Sequence, residues 1–398
     1  LTNVSASPRH PSAWADLWTI PADVTYLNHG SFGPAPRAVQ RARQQLLCEL
    51  ESQPMDFFVR RLEEAWDEAA ARLASFVGAE ARDLVFVPNA TAGMNIVARS
   101  CPLEPDDEVL LTDHEYGAVR RVWGRRCTEA RARTTLASLP TRWDSESDFV
   151  DQLFSRVTPR TKVIVISHVT SQTAVVFPVA AVCRQAGAQG ILTVVDGPHA
   201  LAMLPVNVAT LECDFYTASC HKWLSAPLGS GFLHVRREWQ PRMLPVTTSW
   251  GRSLSGRPAR WQDEFLWPGT ADPTPYLAVP AAIDVLTDAG IDRFRTHGQS
   301  IATYAEQRLR QCGAEPVSTE ALRAPTMLTV HLPDVPRSAS WPGSPHPLQV
   351  KLWTEHRIEV PVFEWRDRPH LRVSCHLYNT PADVDRLIDG LRHLIPSL

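Results

Sequence analysis

Short apolar runs rich in Val, Ile, Leu and Phe alternate with stretches of helical length through the middle of the chain, and this alternation limits the possible folds more than any other feature. The runs are DLVFVPN (83–89), DEVLLTD (107–113), TKVIVISHV (161–169), GILTVVDG (190–197), CDFYTAS (213–219) and GSGFLHVR (229–236). Their apolar residues come in blocks and do not alternate with polar ones, the pattern of strands buried on both faces. Helix-length segments at 90–101, 116–130 and 178–188 separate several of them. The expectation is a largely parallel sheet covered by helices, an α/β domain of roughly 230 residues.

The flanks follow another pattern. From Pro36 to about Val77 the chain is helical in character, with an interruption near Pro54. After Ala281 come two helical stretches, strand candidates APTMLTVHL, IEVPVFEW and HLRVSCH, and a last helix PADVDRLIDGLRHLI. The expected division is an N-terminal segment (1–50) that packs with the small domain, a large α/β domain (51–280) and a small α+β domain (281–398). Ligands of open α/β sheets sit where strands end, often against a domain boundary.

Composition removes several function classes. The 40 Lys and Arg against 43 Asp and Glu leave a net charge of -3, so no nucleic-acid partner is expected. No apolar run approaches the ~20 residues that span a bilayer, and LTNVSASPRHPSAWADLW lacks a basic segment followed by an apolar one. A soluble, cytoplasmic protein is expected, with no membrane partner. The eight cysteines form no C-x-x-C pair and no Cys/His cluster at zinc spacing, which predicts reduced thiols and no metal site. GSGF at 229–232 lacks the spacing of a dinucleotide fingerprint.

Two strand ends carry the chemistry. FYTASCHKWLSAPLGSGFLHV (215–235) sets Lys222 among small residues and glycines, with Asp214 and Arg236 as its nearest charged neighbours in sequence. A solvated surface lysine is the alternative reading, and it fits those neighbours poorly. In GILTVVDGPHA, Asp196 ends an apolar run; it is either a cap for the next helix or a buried carboxylate that needs a cationic partner. Taken together, the two residues point to pyridoxal 5'-phosphate: the lysine forms a Schiff base, and the carboxylate keeps the pyridine nitrogen protonated so that the ring accepts electrons from Cα. PNATAGMN (88–95), at a strand-to-helix turn, offers Thr91 and free N–H groups to the phosphate.

At these positions the chain resembles the class V aminotransferase family of fold-type I pyridoxal-phosphate enzymes. The resemblance rests on TVVDGPHA followed by ASCHKW, and on YLNHGSFGPAPRAV, QPMDFFVRRL, PNATAGMNIVARS, DHEYGAVRRVW and SHVTSQTAVVFPV. Within the family these segments are most similar to the epimerase-like members. The resemblance implies a mostly parallel seven-stranded sheet in a large domain plus a smaller α+β domain. It makes Lys222 the Schiff-base lysine and carrier of the Cα proton, Asp196 the pyridinium partner and His199 a donor near the 3-oxygen. Thr91, Ala92, Ser219 and His221 would contact the phosphate, Tyr116 would stack on the ring, and His168 would face the cofactor. Gly269 and Thr270 would reach the phosphate of a partner subunit, which implies a homodimer with shared active sites. Arg372 would bind the substrate α-carboxylate, unless it is an ordinary strand arginine paired across the sheet. Asn28, His29 and Phe32 would line the substrate pocket, although the glycines of LNHGSFGP also account for a tight turn.

RIEVPVFEWRDRPHLRVS contains no cysteine, where desulfurases of this class carry their nucleophile, so persulfide formation is disfavoured. Cys220 and Cys375 are expected as packed small hydrophobes. Three readings follow: an epimerase acting at Cα of an amino acid, a β-eliminating carbon–sulfur lyase, and a non-catalytic cofactor-bound protein. The Pro-rich stretch 332–349 and the Trp-rich stretch 239–267 are expected to shape the substrate entrance.

Overall fold

A computed structural model describes residues 12, 14–337 and 344–395. Its strands are β1 (Thr25–Tyr26), β2 (Leu84–Val87), β3 (Glu108–Thr112), β4 (Arg133–Ala137), β5 (Thr161–Ser167), β6 (Leu192–Asp196), β7 (Phe215–Ser219), β8 (Gly231–Val235), β9 (Glu315–Pro316), β10 (Met327–His331), β11 (Ile358–Glu359), β12 (Val362–Trp365) and β13 (Arg368–Ser374). A seven-stranded sheet takes the order β2-β8-β7-β6-β5-β3-β4. Its pairs are parallel from β7 through β4, and β8 runs against both of its neighbours. Each apolar run singled out in the sequence supplies a strand of this sheet.

Strand β4 was not expected. It is the edge strand, exposed along most of its length, so ARTTLAS has no need of the apolar block that marks the interior strands. Apolar cores lie on both faces of the sheet, one including Phe86, Ile164, Tyr216 and Trp223, the other Val109, Trp123, Val165 and Phe215.

A second, antiparallel sheet of order β12-β13-β10-β9 has its own core around Val330, Leu371, Leu387 and Ile388. The first 50 residues divide between the two bodies. β1 pairs with β11, and Leu27 joins the smaller core. The helix Arg37–Ser52 instead sends Val39 and Leu50 into the larger core, against the helices Thr274–Leu277 and Val279–Ala289. Helix Val279–Ala289, near the expected boundary at 281, likewise buries Ile283 and Leu286 in the larger core. At Pro54 the ring has no N–H to offer the preceding turn; Arg37–Ser52 stops there, and the chain resumes through a widened turn at Phe57–Arg61 into Leu62–Phe76.

Within the Pro-rich stretch 332–349, residues 338–343 lie outside the described residues. The Trp-rich stretch is tied down by hydrogen bonds and ion pairs as well as by apolar packing. Glu63 accepts from Ser253 Oγ and Ser255 Oγ, each at 2.7 Å, and Arg257 pairs with buried Asp263 at 2.6 Å. No stretch among the described residues forms a helix long and apolar enough to cross a membrane.

Candidate active site

The carboxyl ends of β5, β6 and β7 open into a cavity of about 350 Å³. Two strand ends deliver its central residues. β6 is buried through to Asp196, and register alignment places Asp196 between Ser167 of β5 and Thr217 of β7. β7 ends at Ser219, and the chain then turns sharply so that Lys222 enters the same cavity. The helix Ala90–Ser100 aims its N-terminus at the cavity from β2. Its approach to β7 depends on Gly93, where a Cβ would fall 2.1 Å from Thr217 Oγ1. Arg372 reaches in from β13 of the smaller sheet and Tyr116 from the loop after β3.

Burial drives the electrostatics. It pushes the Asp196 carboxyl up, opposed by the Lys222 charge. It pushes the Lys222 ammonium down, with Arg372 adding to the effect and Asp196 opposing it. Asp196 Oδ1 is a buried acceptor with no hydrogen-bond partner among the described residues.

His199 Nε2 lies 3.0 Å from Lys222 Nζ, and Trp223 Nε1–H donates to His199 Nδ1 at 3.3 Å. An indole N–H can only donate, so the neutral His199 ring carries its proton on Nε2. That proton can be donated to Lys222 only when Nζ is a free amine, the state that burial favours. Burial also holds His221 down at about 4, with Lys222 adding to the effect.

Arg372 is 4% exposed. Its Nη1 donates to Ser171 O at 2.7 Å and Ser171 Oγ at 3.2 Å, and its Nη2 donates to Ser31 Oγ at 2.8 Å and Asn28 Oδ1 at 3.4 Å. Nε has no partner among the described residues. Burial lowers the guanidinium to about 10, which leaves it charged at neutral pH.

Of the residues singled out in the sequence, the cavity brings together Thr91, Tyr116, Asp196, His199, Ser219, His221, Lys222, Arg372 and Phe32. Others fall elsewhere. The N–H of Ala92 is taken by Asn89 Oδ1 at 2.9 Å, because Asn89 caps the helix, so it is not held out for a phosphate. His168 stands behind the wall, with Nδ1 3.1 Å from Tyr216 OH and its backbone N–H on Asp196 O. Asn28 touches Arg372 and lies outside the lining. His29 is fully buried and faces the backbone of Lys222, not the pocket. Gly269 and Thr270 occupy an outer loop with Thr270 exposed, apart from this chain's cavity.

Sequence reasoning missed Asn89, Ser31, Ser171 and Glu115. Glu115 is a buried carboxyl that accepts from Ser167 Oγ at 2.6 Å, Ser167 N at 3.1 Å and Thr112 Oγ1 at 2.8 Å, and burial pushes it up to about 7. Its position three residues after the buried strand β3 was the one available signal.

The arrangement fits pyridoxal phosphate on its own terms. An orphaned carboxylate oxygen, an imidazole N–H fixed by Trp223, a lysine held toward its amine form and a helix N-terminus beside Ser219 share one cavity.

Comparison with known proteins agrees with this fit. The family model described as aminotransferase class-V matches residues 25–387. The chain is 35% identical to isopenicillin N epimerase of Amycolatopsis lactamdurans over 96% of this chain and 99% of the relative. It is 33% identical to isopenicillin N epimerase of Streptomyces clavuligerus over 92% of this chain and 94% of the relative. Among solved structures, the cysteine desulfurase CsdA of Escherichia coli superposes with a TM-score of 0.79 at 23% identity, covering 97% of this chain and 98% of the other. With that match spanning both sheets and the cavity between them, the chain belongs to the class V aminotransferase family.

Proposed function

We propose that the protein is a pyridoxal-phosphate enzyme that inverts the configuration at Cα of an amino acid or an amino-acid-derived substrate. The observation that carries this reading is the meeting of Lys222, Asp196 and Arg372 in one cavity. The two epimerases at 35% and 33% identity support epimerisation over β-elimination. Persulfide-forming desulfurization, which needs a nucleophilic thiol, is disfavoured because no cysteine lines the cavity: Cys220 and Cys375 are buried, and burial raises both thiols.

Bound at this site, pyridoxal phosphate would supply an electron sink for negative charge at the substrate Cα. Asp196 Oδ1 would accept the pyridine N–H and so keep the ring cationic, while His199 Nε2–H would donate to the 3-oxygen. Thr91, Ser219, His221 and the N-terminus of helix Ala90–Ser100 would hold the phosphate. Tyr116 would cover the ring face at the cavity mouth. Arg372 would take the α-carboxylate with its planar fork, oriented by Ser31 and Ser171. Lys222 Nζ, biased by burial toward the free amine, would take the proton from one face of Cα, and inversion requires a second acid to deliver a proton to the opposite face.

In the same reading the active form is a homodimer with shared sites. Phe32, Tyr116 and Leu228 are 67%, 51% and 57% exposed near the cavity mouth and the lysine loop, which supports a covering partner there.

Incubating the holoenzyme with a panel of L-amino acids in deuterated water, and following Cα exchange, chirality, pyruvate and sulfide together, tests the proposal. Deuterium incorporation with inversion and no pyruvate is expected. Pyruvate with sulfide release would replace epimerisation with carbon–sulfur lysis, and absence of exchange with every substrate would overturn the reading.

A further inference from the structure

Behind the cavity wall, two stacked histidines grip the backbone that carries Lys222. The rings of His29 and His376 are stacked, with centroids 4.1 Å apart and planes inclined by 26°. His29 comes from the segment after β1, and His376 follows β13 of the smaller sheet. His29 Nε2 is 2.9 Å from the Lys222 carbonyl oxygen, and His376 Nε2 is 3.2 Å from the Trp223 carbonyl oxygen. A backbone carbonyl only accepts, so both rings carry their proton on Nε2. Tyr378 OH, 2.9 Å from His29 Nδ1, donates to the bare nitrogen and fixes that tautomer. Ser225 Oγ lies 3.2 Å from His29 Nε2 and 3.4 Å from His376 Nε2.

The loop so held is strained. Ser225 has φ 56, in the left-handed region that L residues other than glycine seldom occupy. Its N–H closes a turn on the Lys222 carbonyl at 2.8 Å, so that oxygen takes two donors. The approach is tight: a Cβ on Gly33 would fall 2.5 Å from His29 Nε2 and 2.8 Å from the Lys222 oxygen. A strained turn persists when its surroundings over-determine it.

We propose that His29 and His376 are positioning residues that hold the carbonyls of Lys222 and Trp223, and so set where Lys222 Nζ and the Trp223-anchored His199 stand, tying the lysine loop to the smaller domain. The inference rests on the pyridoxal-phosphate reading. Burial keeps both imidazoles neutral, with His29 lowered to about 3 and His376 well below its ordinary range. The clamp therefore acts through donated protons, not through charge, and should persist across the working pH range. His29 thus serves the lysine from behind, where the sequence alone had placed it against substrate.

Three variants test the clamp: His29→Phe, which keeps an aromatic ring but no donor; His29→Gln, which restores an N–H near the Nε2 position; and Tyr378→Phe, which removes only the hydroxyl that fixes the tautomer. The holoenzyme's visible band is titrated with pH, and kcat and KM are measured for an amino-acid substrate. His29→Phe should bind cofactor, shift the midpoint of the absorbance titration, and lower kcat about 10- to 100-fold with KM nearly unchanged. His29→Gln should recover most of both, and Tyr378→Phe should show a smaller change in the same direction. A His29→Phe holoenzyme with the parent's titration and kcat would overturn the clamp. So would equal impairment of the Phe and Gln variants with an unchanged titration, the result expected of packing alone. Should His29→Phe fail to fold, Tyr378→Phe with a parental titration and kcat overturns it as well. Failure of the underlying reading is distinguishable, because the parent protein itself would then show no band that borohydride fixes to Lys222.

Discussion

Arg372→Ala separates binding from chemistry. The guanidinium is 4% exposed, with four donor contacts to Ser171, Ser31 and Asn28 and a buried Nε without a partner among the described residues. A substrate carboxylate reaching it would form a desolvated, charge-assisted pair. Truncating one member of such a pair costs about 2–5 kcal/mol, or roughly 30- to 5000-fold in kcat/KM. If the pair is made equally before and during the reaction, the loss falls on KM and kcat changes little. Part of the cost is structural, because alanine leaves Ser171 O and Ser31 Oγ without their donor. Arg372→Lys controls for that: it restores a charge without the fork and should recover only part of the affinity. The assay is steady-state kinetics beside the cofactor's absorbance, which should match the parent in both variants. If Arg372→Ala binds amino acids at parental concentrations, the carboxylate site lies elsewhere and the smaller sheet's part in the reading is wrong.

Borohydride reduction followed by peptide mapping should place the cofactor on Lys222, and label on any other lysine would remove that assignment. Lys222→Ala should retain cofactor through Thr91, Ser219 and His221 yet lose roughly 10²- to 10⁴-fold in rate from proton transfer alone, measured by single-turnover Cα exchange. Sedimentation of the active species should show two chains, and a fully active, cofactor-loaded monomer contradicts the shared site. Glu115 should shape the pH profile of stability. Its carboxyl is raised to about 7 by burial, above the unfolded value, so its contribution is whole at about pH 4 and is lost as pH rises through about 7, some ~3 kcal/mol in all. Glu115→Gln should flatten that fall in denaturant midpoints taken between roughly pH 5 and pH 8, and a slope equal to the parent's would show that the carboxyl titrates normally.

What the sequence could reveal depended on whether a residue's task is local. Asp196 and Lys222 were legible because each interrupts a buried strand end, where a charge has no cheap structural explanation. The interior strands were legible as apolar blocks for the same reason, whereas β4 could show no block because its faces meet water. Side chains whose role depends on which side of a wall they occupy were not legible. LNHGSFGP put His29 near the site, but no spacing rule says whether its ring faces the cavity or the back of the lysine loop. His376 follows Cys375 in RVSCHLYN with no local mark of its role, because its partners Trp223 and Ser225 lie 153 and 151 residues away in sequence. Glu115 sits in DHEYG among polar neighbours that suggest a solvated turn, yet the fold encloses it against Ser167 and Thr112.

The charges of the cavity add a constraint that neither motif nor fold supplies. Lys222 and Arg372 bring cationic capacity, Asp196 brings one carboxyl, and burial holds His199 and His221 below their ordinary range. A cavity so balanced is short of negative charge outside Asp196, and it is ringed by donors at Thr91, Ser219, His199 and Arg372. A ligand bearing a phosphate at the helix end and a carboxylate at the Arg372 end would satisfy both. With that negative charge in place, the repulsion that Arg372 now exerts on a Lys222 ammonium would weaken, and the lysine could pass between amine and ammonium at modest cost. A group that takes a proton from Cα and later gives it up needs both states within reach, and the same balance would let Asp196 stay ionised against a ring N–H. The electrostatics and the proton-transfer role proposed for Lys222 are therefore one requirement, met by Lys222, Arg372 and Asp196 together.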